Sequence, residues 1–189
     1  MAQQMDEQVL ITILTGAVNK TLGNIPTAPQ TEEPKAQKEK IADEGGKMYV
    51  DGVKKFDAAC YVSYVNYYLT QGDIARHNAK GFLVIYLHCD YAEKLFKAIG
   101  YAYSDENETT MFESATKLCN TITEALKQNL TSSGYADLVL SAPATSRNSV
   151  FAGIEYNRSQ KDKHELSFYF WKQKALVVEL ALSDVPPRR

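Results

Sequence analysis

MFESATKLCNTITEAL, residues 111–126, is the stretch of sequence on which the fold assignment depends. Its apolar residues recur every three or four positions, a spacing that predicts a long amphipathic helix over about residues 109–130. Cys119 lies on the apolar side, and no His is near it in the sequence to activate it. We therefore expect Cys119 to pack in the core rather than act as a nucleophile. The other members of the apolar stripe are Met111, Ala115, Leu118, Ile122 and Leu126.

The opposite side of this helix carries a polar row formed by Glu113, Lys117, Asn120 and Glu124. The four residues are spaced by four, three and four positions, and at about 100° per residue they fall in one narrow line. Such a row is typical of a solvated helix face, in which Glu113 and Lys117 would form an i,i+4 ion pair of about 0.3–0.5 kcal/mol. The alternative is a recognition surface that offers an acid, a base and an amide together.

The segments on either side of the long helix predict further regular structure. Residues 82–88, FLVIYLH, are apolar nearly throughout and predict a central strand. We expect a helix to follow, begun by a capping box of Asp90 and Glu93 and ended at Gly100. After the long helix, residues 136–143 predict a strand that stops at its terminal proline.

The remaining segments indicate one more helix and several strands. Residues 5–22 predict an amphipathic helix docked on the core rather than an export signal, because Asp6 and Glu7 precede the apolar run and no Lys or Arg does. Residues 24–47 hold half of the prolines and many charges, which indicates a linker or surface excursion with room for one helical turn at 35–42. A partner-binding arm is the alternative for this segment. Further strands are predicted at 59–69, 149–156, 165–171 and 175–182.

Together these segments predict an α+β fold, in which a mostly antiparallel sheet packs against long helices. A chain of 189 residues is long enough to bury one hydrophobic core. We therefore expect a single domain over residues 1–189, with the segment 24–47 as an excursion from it.

Composition excludes several classes of function. The chain carries 21 basic and 23 acidic residues, so it lacks the basic excess that nucleic-acid binding needs. It contains no run close to the roughly 20 apolar residues of a membrane span. Its three cysteines give no disulfide framework, and a reducing cytoplasmic location is the simplest expectation. We therefore expect neither a nucleic acid nor a membrane as a partner.

Recognised catalytic and metal-binding motifs are missing from the sequence. There is no glycine-rich phosphate loop, no GxSxG and no HExxH. His88, Cys89 and Asp90 are adjacent, but neighbouring residues on a strand point to opposite faces, so they do not predict a metal site. We expect neither a metal nor a cofactor.

The order and spacing of the segments resemble the CheX/CheC-like chemotaxis phosphatase family. Residues 81–101 resemble the family's strand and following helix, residues 111–126 its active-site helix, and residues 134–143 the strand that ends in Ser-x-Pro. The N-terminal helix and the final hairpin also fit, so the resemblance spans most of the chain. It implies a CheX/CheC-like α+β domain whose partner is the receiver domain of a response regulator in chemotaxis or two-component signalling. Phosphoaspartate hydrolysis is the activity it implies, and a homodimer is the assembly.

The family signature is a Glu followed three residues later by Asn and preceded four residues earlier by Asp or Ser. Aligned on Asn120, this sequence has Glu113 at the leading position and Lys117 at the Glu position. The resemblance implies that Asn120 orients the attacking water, a role that suits an amide because it both donates and accepts hydrogen bonds. The family Glu is thought to pair with the regulator's active-site lysine, and Lys117 would set one cation against another there. Glu113 or Glu124 could pair with the regulator's lysine instead, if the regulator docked at a shifted position along the helix.

A second departure concerns the glycine that the family carries shortly after the Asn. Thr123 or Glu124 occupies that place in this sequence. Since either side chain is larger than glycine, we expect a bulkier helix face than in a working phosphatase.

Three functions stay open on this sequence. The first is a response-regulator phosphatase that uses Asn120 and Glu113 as catalytic residues, and the presence of Lys117 counts against it. The second is a non-catalytic interaction or scaffold module with the same fold, in which Lys117 and Glu124 belong to a binding surface. The third is an unrelated α+β protein that binds a small ligand in an aromatic pocket on its tyrosine-rich strand. The tyrosines concerned are Tyr61, Tyr64 and Tyr67.

Overall fold

The chain has the predicted α+β fold, in which long helices pack on an antiparallel sheet. The computed structural model describes residues 6–23, 25–150, 153–183 and 185–188. None of the helices in these ranges combines the length and apolar character that a bilayer crossing requires. The helices are α1 (Glu7–Leu22), α2 (Val53–Phe56), α3 (Gln71–Ala75), α4 (Cys89–Ala98) and α5 (Glu108–Ser132). The strands are β1 (Lys35–Lys40), β2 (Asp43–Glu44), β3 (Lys47–Met48), β4 (Val50–Asp51), β5 (Cys60–Tyr68), β6 (Gly81–His88), β7 (Val139–Leu140), β8 (Ala144–Arg147), β9 (Ser149–Val150), β10 (Asp162–Phe170) and β11 (Gln173–Leu182).

The main sheet runs in the order β1-β10-β11-β6-β5, and β7 and β8 both pair with the outer side of β5. All of these ladders are antiparallel, including that of β11 with β6, where Val178 lies opposite Ile85. β6 therefore lies inside the sheet, between β11 and β5, as predicted from its sequence. Both of its faces are buried, which explains why apolar residues do not alternate with polar ones along it.

The helices α1 and α5 pack on one face of the sheet and on each other. Each begins at a side-chain cap, because Asp6 accepts a hydrogen bond from the Gln8 amide and Asn107 accepts one from the Thr109 amide. The predicted apolar stripe of α5 is buried in full. Cys119 lies within this core, where burial raises the pKa of its thiol to about 12. Packing is therefore the role of Cys119, as expected.

Loop segments and short strands, rather than long helices, cover the other face of the sheet. Met48, Val50 and Ile154 pack there against residues of β5 and β6 such as Val62 and Val84. The sheet is thus buried on both sides, and its two faces differ in what covers them.

The order of elements repeats along the chain, although no repeat is visible in the sequence. The first half runs from α1 through β1 to the hairpin β5–β6, and the second runs from α5 through β8 to the hairpin β10–β11. Each half gives its outer strand to the other half, because β1 pairs with β10 and β8 pairs with β5. The two hairpins meet at the centre, through β6 and β11. The sheet is therefore built by an exchange of strands between the halves.

Residues 35–42, where the sequence left room for a helical turn, contain the strand β1 instead, which extends the sheet beyond β10. Its sequence, KAQKEK, shows no apolar alternation, so nothing local favours a strand. Backbone pairing with β10 and charged contacts hold it instead, including one of 2.6 Å between Lys40 Nζ and Asp162 Oδ1. This part of the excursion therefore packs as a sheet edge.

The capping box predicted for α4 is wrong. β6 runs directly into the helix, so His88 occupies the N-cap position and its Nδ1 accepts a hydrogen bond from the Asp90 amide at 3.1 Å. Gly100 does follow the end of α4, with a φ of +74° that glycine adopts without strain.

The strands predicted at 136–143 and 149–156 are shorter than expected. Regular pairing is confined to β7 and β9, with β8 between the two predicted segments. Pro143 cannot donate a ladder hydrogen bond, which explains why β7 and β8 are separate strands. Residues 151 and 152 lie outside the described ranges. The strands predicted at 165–171 and 175–182 correspond to β10 and β11.

A cluster of buried charges lies on the loop-covered face of the sheet. Glu179 of β11 is fully buried and lies directly across the ladder from Glu165 of β10. Lys163 Nζ lies 2.6 Å and Lys55 Nζ 2.7 Å from Glu179 Oε1, and Lys55 also binds the Glu165 carboxylate. Glu39 of β1 completes the cluster, 3.0 Å from Lys55 Nζ. Burial opposes the charged form of Glu179, but the two ammonium groups outweigh it and hold the pKa of this carboxyl below its usual value.

Acidification should weaken the fold through Glu179. A pKa that is lower in the folded chain means that Glu179 contributes stability above the ordinary glutamate pKa of 4.5, and that this contribution is lost as the pH falls through the folded value. We expect the urea midpoint of unfolding to fall as the pH is lowered below 4.5. Glu179→Gln should be less stable at neutral pH but should show a flatter profile below that pH. Tryptophan fluorescence during urea unfolding at each pH gives the midpoint for the native chain and for the variant. An equally steep pH profile in the variant would show that Glu179 is not the group responsible.

Candidate functional site

The exposed side of α5 forms one wall of an open cleft of about 610 Å³. Three of the four residues of the predicted polar row, Glu113, Lys117 and Asn120, are exposed and line this cleft together. The amide of Asn120 is therefore accessible to a partner. The other lining residues are Thr109, Phe112, Thr116, Pro143 and Thr145.

Hydrogen bonds fix the wall of the cleft to the sheet. Thr145 of β8 shares a hydrogen bond of 2.5 Å with Thr116 of α5 and one of 2.7 Å with Ser63 of β5. The Thr116 hydroxyl also lies 2.7 Å from the carbonyl oxygen of Phe112 in the preceding turn. These contacts tie helix, edge strand and inner strand together at this wall of the cleft.

Lys117 is positioned by an aromatic ring rather than by an acid. Its Nζ lies 4.3 Å from the centre of the Tyr101 ring, within range of a cation–π interaction. The Tyr101 hydroxyl is in turn 3.0 Å from Thr121 Oγ1 on the next turn of α5. The i,i+4 ion pair expected with Glu113 is not formed, and within the described part of the chain Lys117 has no other ion-pair partner. The ammonium group is therefore free to meet an acid from outside.

Glu124 and Thr123 do not lie in the cleft. Glu124 is half-buried and is not among the lining residues, although it falls in the same angular line on the helix. Thr123 is fully buried, and its hydroxyl donates to the Cys119 carbonyl oxygen at 2.7 Å. The expectation that one of these side chains makes the exposed face bulkier is therefore wrong for Thr123. Glu113 is the acid of the predicted row that lines the cleft together with Asn120.

The cleft can position groups but offers little covalent chemistry. The amide of Asn120 can donate to and accept from a water or a partner, Lys117 can bind an anion, and Phe112 and Pro143 add apolar contact area. The thiol of Cys119 on the same helix is buried, so it does not reach the cleft.

Several residues of the cleft were not predicted from the sequence. Thr145 and Pro143 line the cleft from the segment after α5. Tyr101 is not a lining residue, but it contacts Lys117 from the loop before α5. Thr116 lies on the helix but outside both the apolar stripe and the polar row. Pro143 belongs to the Ser-x-Pro ending that the sequence resemblance marked, whereas no sequence signal marks Thr116, Thr145 or Tyr101.

The structure also reports on the other candidate residues. Tyr61 and Tyr67 are buried in the core, so they do not line the open aromatic pocket that a small-ligand site on this strand would require. The Nδ1 of His88 is engaged in capping α4. Carboxylate oxygens of Glu39, Glu165 and Glu179 lie within 4.8 Å of one another, a spacing that could hold a metal ion. The ammonium groups of Lys55 and Lys163 already lie among these carboxylates, which favours an ion-pair cluster over a metal centre.

No protein-family model and no curated protein sequence matches the chain. Solved structures do match it over nearly its whole length. A CheC-like superfamily protein from Shewanella sp. PV-4 has 16% identity and a TM-score of 0.62, with 93% of this chain and 97% of that chain covered. FliY from Thermotoga maritima has 14% identity and a TM-score of 0.57, with 96% and 93% covered. The CheX–CheY–BeF3–Mg2+ complex from Borrelia burgdorferi matches with 12% identity and a TM-score of 0.54, with 96% and 99% covered. The likeness to these structures lies in the fold.

Proposed function

From the fold that the chain shares with CheX and CheC-like proteins, we propose that it binds the receiver domain of a response regulator in chemotaxis or two-component signalling. The contact surface is the cleft on α5, with Asn120 and Lys117 at its centre. The protein acts there as an interaction module rather than as an efficient phosphatase. The proposal takes residues 1–189 as one CheX-like domain in the cytoplasm.

The observation that carries this proposal is the exposure of Asn120 in an open, hydrogen-bonded cleft. A covered amide could not reach a partner, whereas this one lies on a rigid helix and beside apolar side chains. Rigid elements that present a few polar groups around apolar area are suited to recognition, because little conformational entropy is lost on binding. The match to a CheX–CheY complex supports a receiver domain as the partner class.

Lys117 supports binding without efficient hydrolysis. An ammonium group at the position of the family Glu would repel the regulator's lysine and would attract an acidic residue instead. The Tyr101 ring favours a position of this ammonium at the cleft, by about 0.5–1 kcal/mol for an exposed contact. Glu113 is the remaining acid of the row in the cleft, one turn from Lys117.

Phosphatase activity is the second candidate, and the position of Asn120 favours it. Its amide could orient a water for in-line attack on a phosphoaspartate, a reaction in which the enzyme supplies mainly positioning. In this case Glu113 would have to pair with the regulator's lysine. Hydrolysis would then depend on Asn120 and on an orientation of the docked receiver domain that keeps its lysine away from Lys117.

Lys117→Glu tests the two candidates against each other. If Lys117 binds an acidic surface of the receiver domain, the variant should weaken binding by roughly tenfold, because attraction becomes like-charge repulsion. If Lys117 instead blocks a phosphatase, the variant should bind more tightly and speed phosphate loss. Titration calorimetry with a set of receiver domains, phosphorylated and unphosphorylated, measures binding. Phosphate release in the native chain and in Asn120→Ala measures catalysis.

Lys127→Glu is the matched control, since it makes the same charge change on α5. Lys127 lies outside the cleft, where its Nζ is 3.3 Å from Asp137 Oδ1. Binding should be nearly unchanged in this variant. Equal affinities in Lys117→Glu and Lys127→Glu would mean that the cleft is not the contact surface. A release rate unaffected by Asn120→Ala would remove Asn120 from any catalytic role.

A homodimer remains a prediction from the resemblance. β1 is an edge strand, and its three lysines and one glutamate are a composition that discourages edge-to-edge pairing with another sheet. If the chain does dimerise, we propose that it uses a surface other than β1. Light scattering on the native chain measures its assembly state.

A further inference from the structure

A second cavity of about 560 Å³ lies away from α5, beside the short hairpin β2–β3. Its walls come from three separate parts of the chain, namely that hairpin, the loop after α3 and the segment that precedes β10. The volume falls within the range of small-molecule sites. The lining residues used below are Gly46, Lys47, His77, Glu155 and Arg158.

A histidine and a glutamate form the polar centre of this cavity. His77 Nδ1 lies 2.7 Å from Glu155 Oε1, and the Tyr68 hydroxyl donates to Glu155 Oε2 at 3.0 Å. Both oxygens of the Glu155 carboxylate are thus hydrogen-bonded. The second ring nitrogen of His77, Nε2, takes no part in the contact between His77 and Glu155. The His77 side chain is 80% exposed, while that of Glu155 is 21% exposed.

The backbone around this dyad is fixed. Asn66 is buried in β5, and its side-chain amide donates to the Glu155 carbonyl oxygen at 2.6 Å. His77 has a φ of +53°, a backbone conformation that residues other than glycine seldom adopt. Backbone of this kind persists where the surroundings enforce it, and the hydrogen bond to Glu155 orients the exposed imidazole.

Two cations line the rim of this cavity without forming an ion pair in the described part of the chain. These cations are Lys47 and Arg158. The Arg158 guanidinium lies against the main chain of Gly46, where a Cβ would come within 2.5 Å of its Nη2. Asp43 is nearby but is committed, because it accepts hydrogen bonds from the Gly46 amide and from the Tyr156 hydroxyl. The cavity therefore combines the Glu155 carboxylate, whose two oxygens are both hydrogen-bonded, with the two positive charges of Lys47 and Arg158, which are not ion-paired.

We propose that this cavity binds a small phosphate-bearing molecule. The planar guanidinium of Arg158 matches two phosphate oxygens, and Lys47 supplies a second positive charge. Two cations suit a dianionic phosphate better than a carboxylate with a single charge. This site lies apart from the cleft on α5 and does not depend on receiver binding.

Titration of the native chain with inorganic phosphate and with pyrophosphate tests the proposal. The imidazole resonances of His77, followed by NMR at constant ionic strength, should shift and saturate. Arg158→Gln should weaken binding by roughly tenfold, since one charge-assisted contact is lost, and Lys47→Gln should weaken it in the same direction. Arg76→Gln is the matched control, because Arg76 is exposed at the end of α3 and does not line the cavity.

Three results would overturn the proposal. One is a shift that does not saturate, as expected for general screening by ions. Another is equal affinity in Arg158→Gln and Arg76→Gln. The third is an equal response to acetate, which would remove the assignment to phosphate. Failure of this site would leave the cleft on α5 unaffected, because the two experiments use different ligands and different residues.

Discussion

Lys55→Met should lower the free energy of unfolding by about 3–5 kcal/mol, because it breaks a buried ion-pair cluster and leaves charges uncompensated. Lys55 Nζ contacts carboxylates on three neighbouring strands, those of Glu39, Glu165 and Glu179. Its side chain is only 13% exposed, and that of Glu179 is fully buried. Without Lys55, Lys163 would be the one lysine among the described residues that still pairs with this group of three acids. Urea unfolding at neutral pH, followed by the fluorescence of the single tryptophan, measures the loss.

Lys54→Met is the matched control for this prediction. Lys54 is the neighbouring residue of α2, its side chain is 79% exposed, and its ion pair with Asp51 is 3.3 Å long. An exposed pair of this kind contributes about 1 kcal/mol or less. Equal losses in the two variants would show that Lys55 is no more important than a surface lysine. Such a result would contradict the role given to the cluster.

Gly81→Ala should cost about 1–3 kcal/mol, the range expected when a side chain is forced into packed structure. Gly81 is the first residue of β6 and lies opposite Leu182 in the ladder with β11. A Cβ at this position would fall on the carbonyl oxygen of Ala181. That oxygen belongs to the backbone of a central strand, so relief would require the sheet itself to shift. Chemical unfolding measures the change.

Gly72→Ala provides the comparison. Gly72 lies in α3, and the nearest atom to an added Cβ would be Thr70 Oγ1 at 3.8 Å, an ordinary contact. Alanine is favoured over glycine in a helix by roughly 0.5–1 kcal/mol, so this variant should be as stable as the native chain or more so. If both alanine variants are tolerated alike, close approach of the β11 backbone does not explain the glycine in β6.

Local sequence patterns predicted the long helices well. The apolar stripes of α1 and α5 continue over several turns, and each helix starts at an Asp or Asn that caps it. β1 could not be predicted in this way. Its contacts join residues far apart in the sequence, such as Lys40 and Asp162, and its own composition favours no regular structure. Tertiary pairing decided its conformation.

The candidate site was predictable to a similar extent. Periodicity placed Glu113, Lys117 and Asn120 on one exposed line, and the structure has them in one cleft. The same periodicity included Glu124, which is half-buried, because helical spacing does not tell how much of a helix its neighbours cover. Nor could it indicate that Tyr101 binds the ammonium group of Lys117.

The pairing of the two hairpins at the centre of the sheet has a consequence for synthesis of the chain. β5 and β6 leave the ribosome early, but the inner edge of β6 has no partner until β11 follows about a hundred residues later. During that interval the unpaired edge of the apolar strand β6 is exposed to other nascent chains. Pairing between strands so far apart in the sequence is also slow. We therefore expect folding to be completed only after translation of β11, with chaperones shielding the hairpin until then.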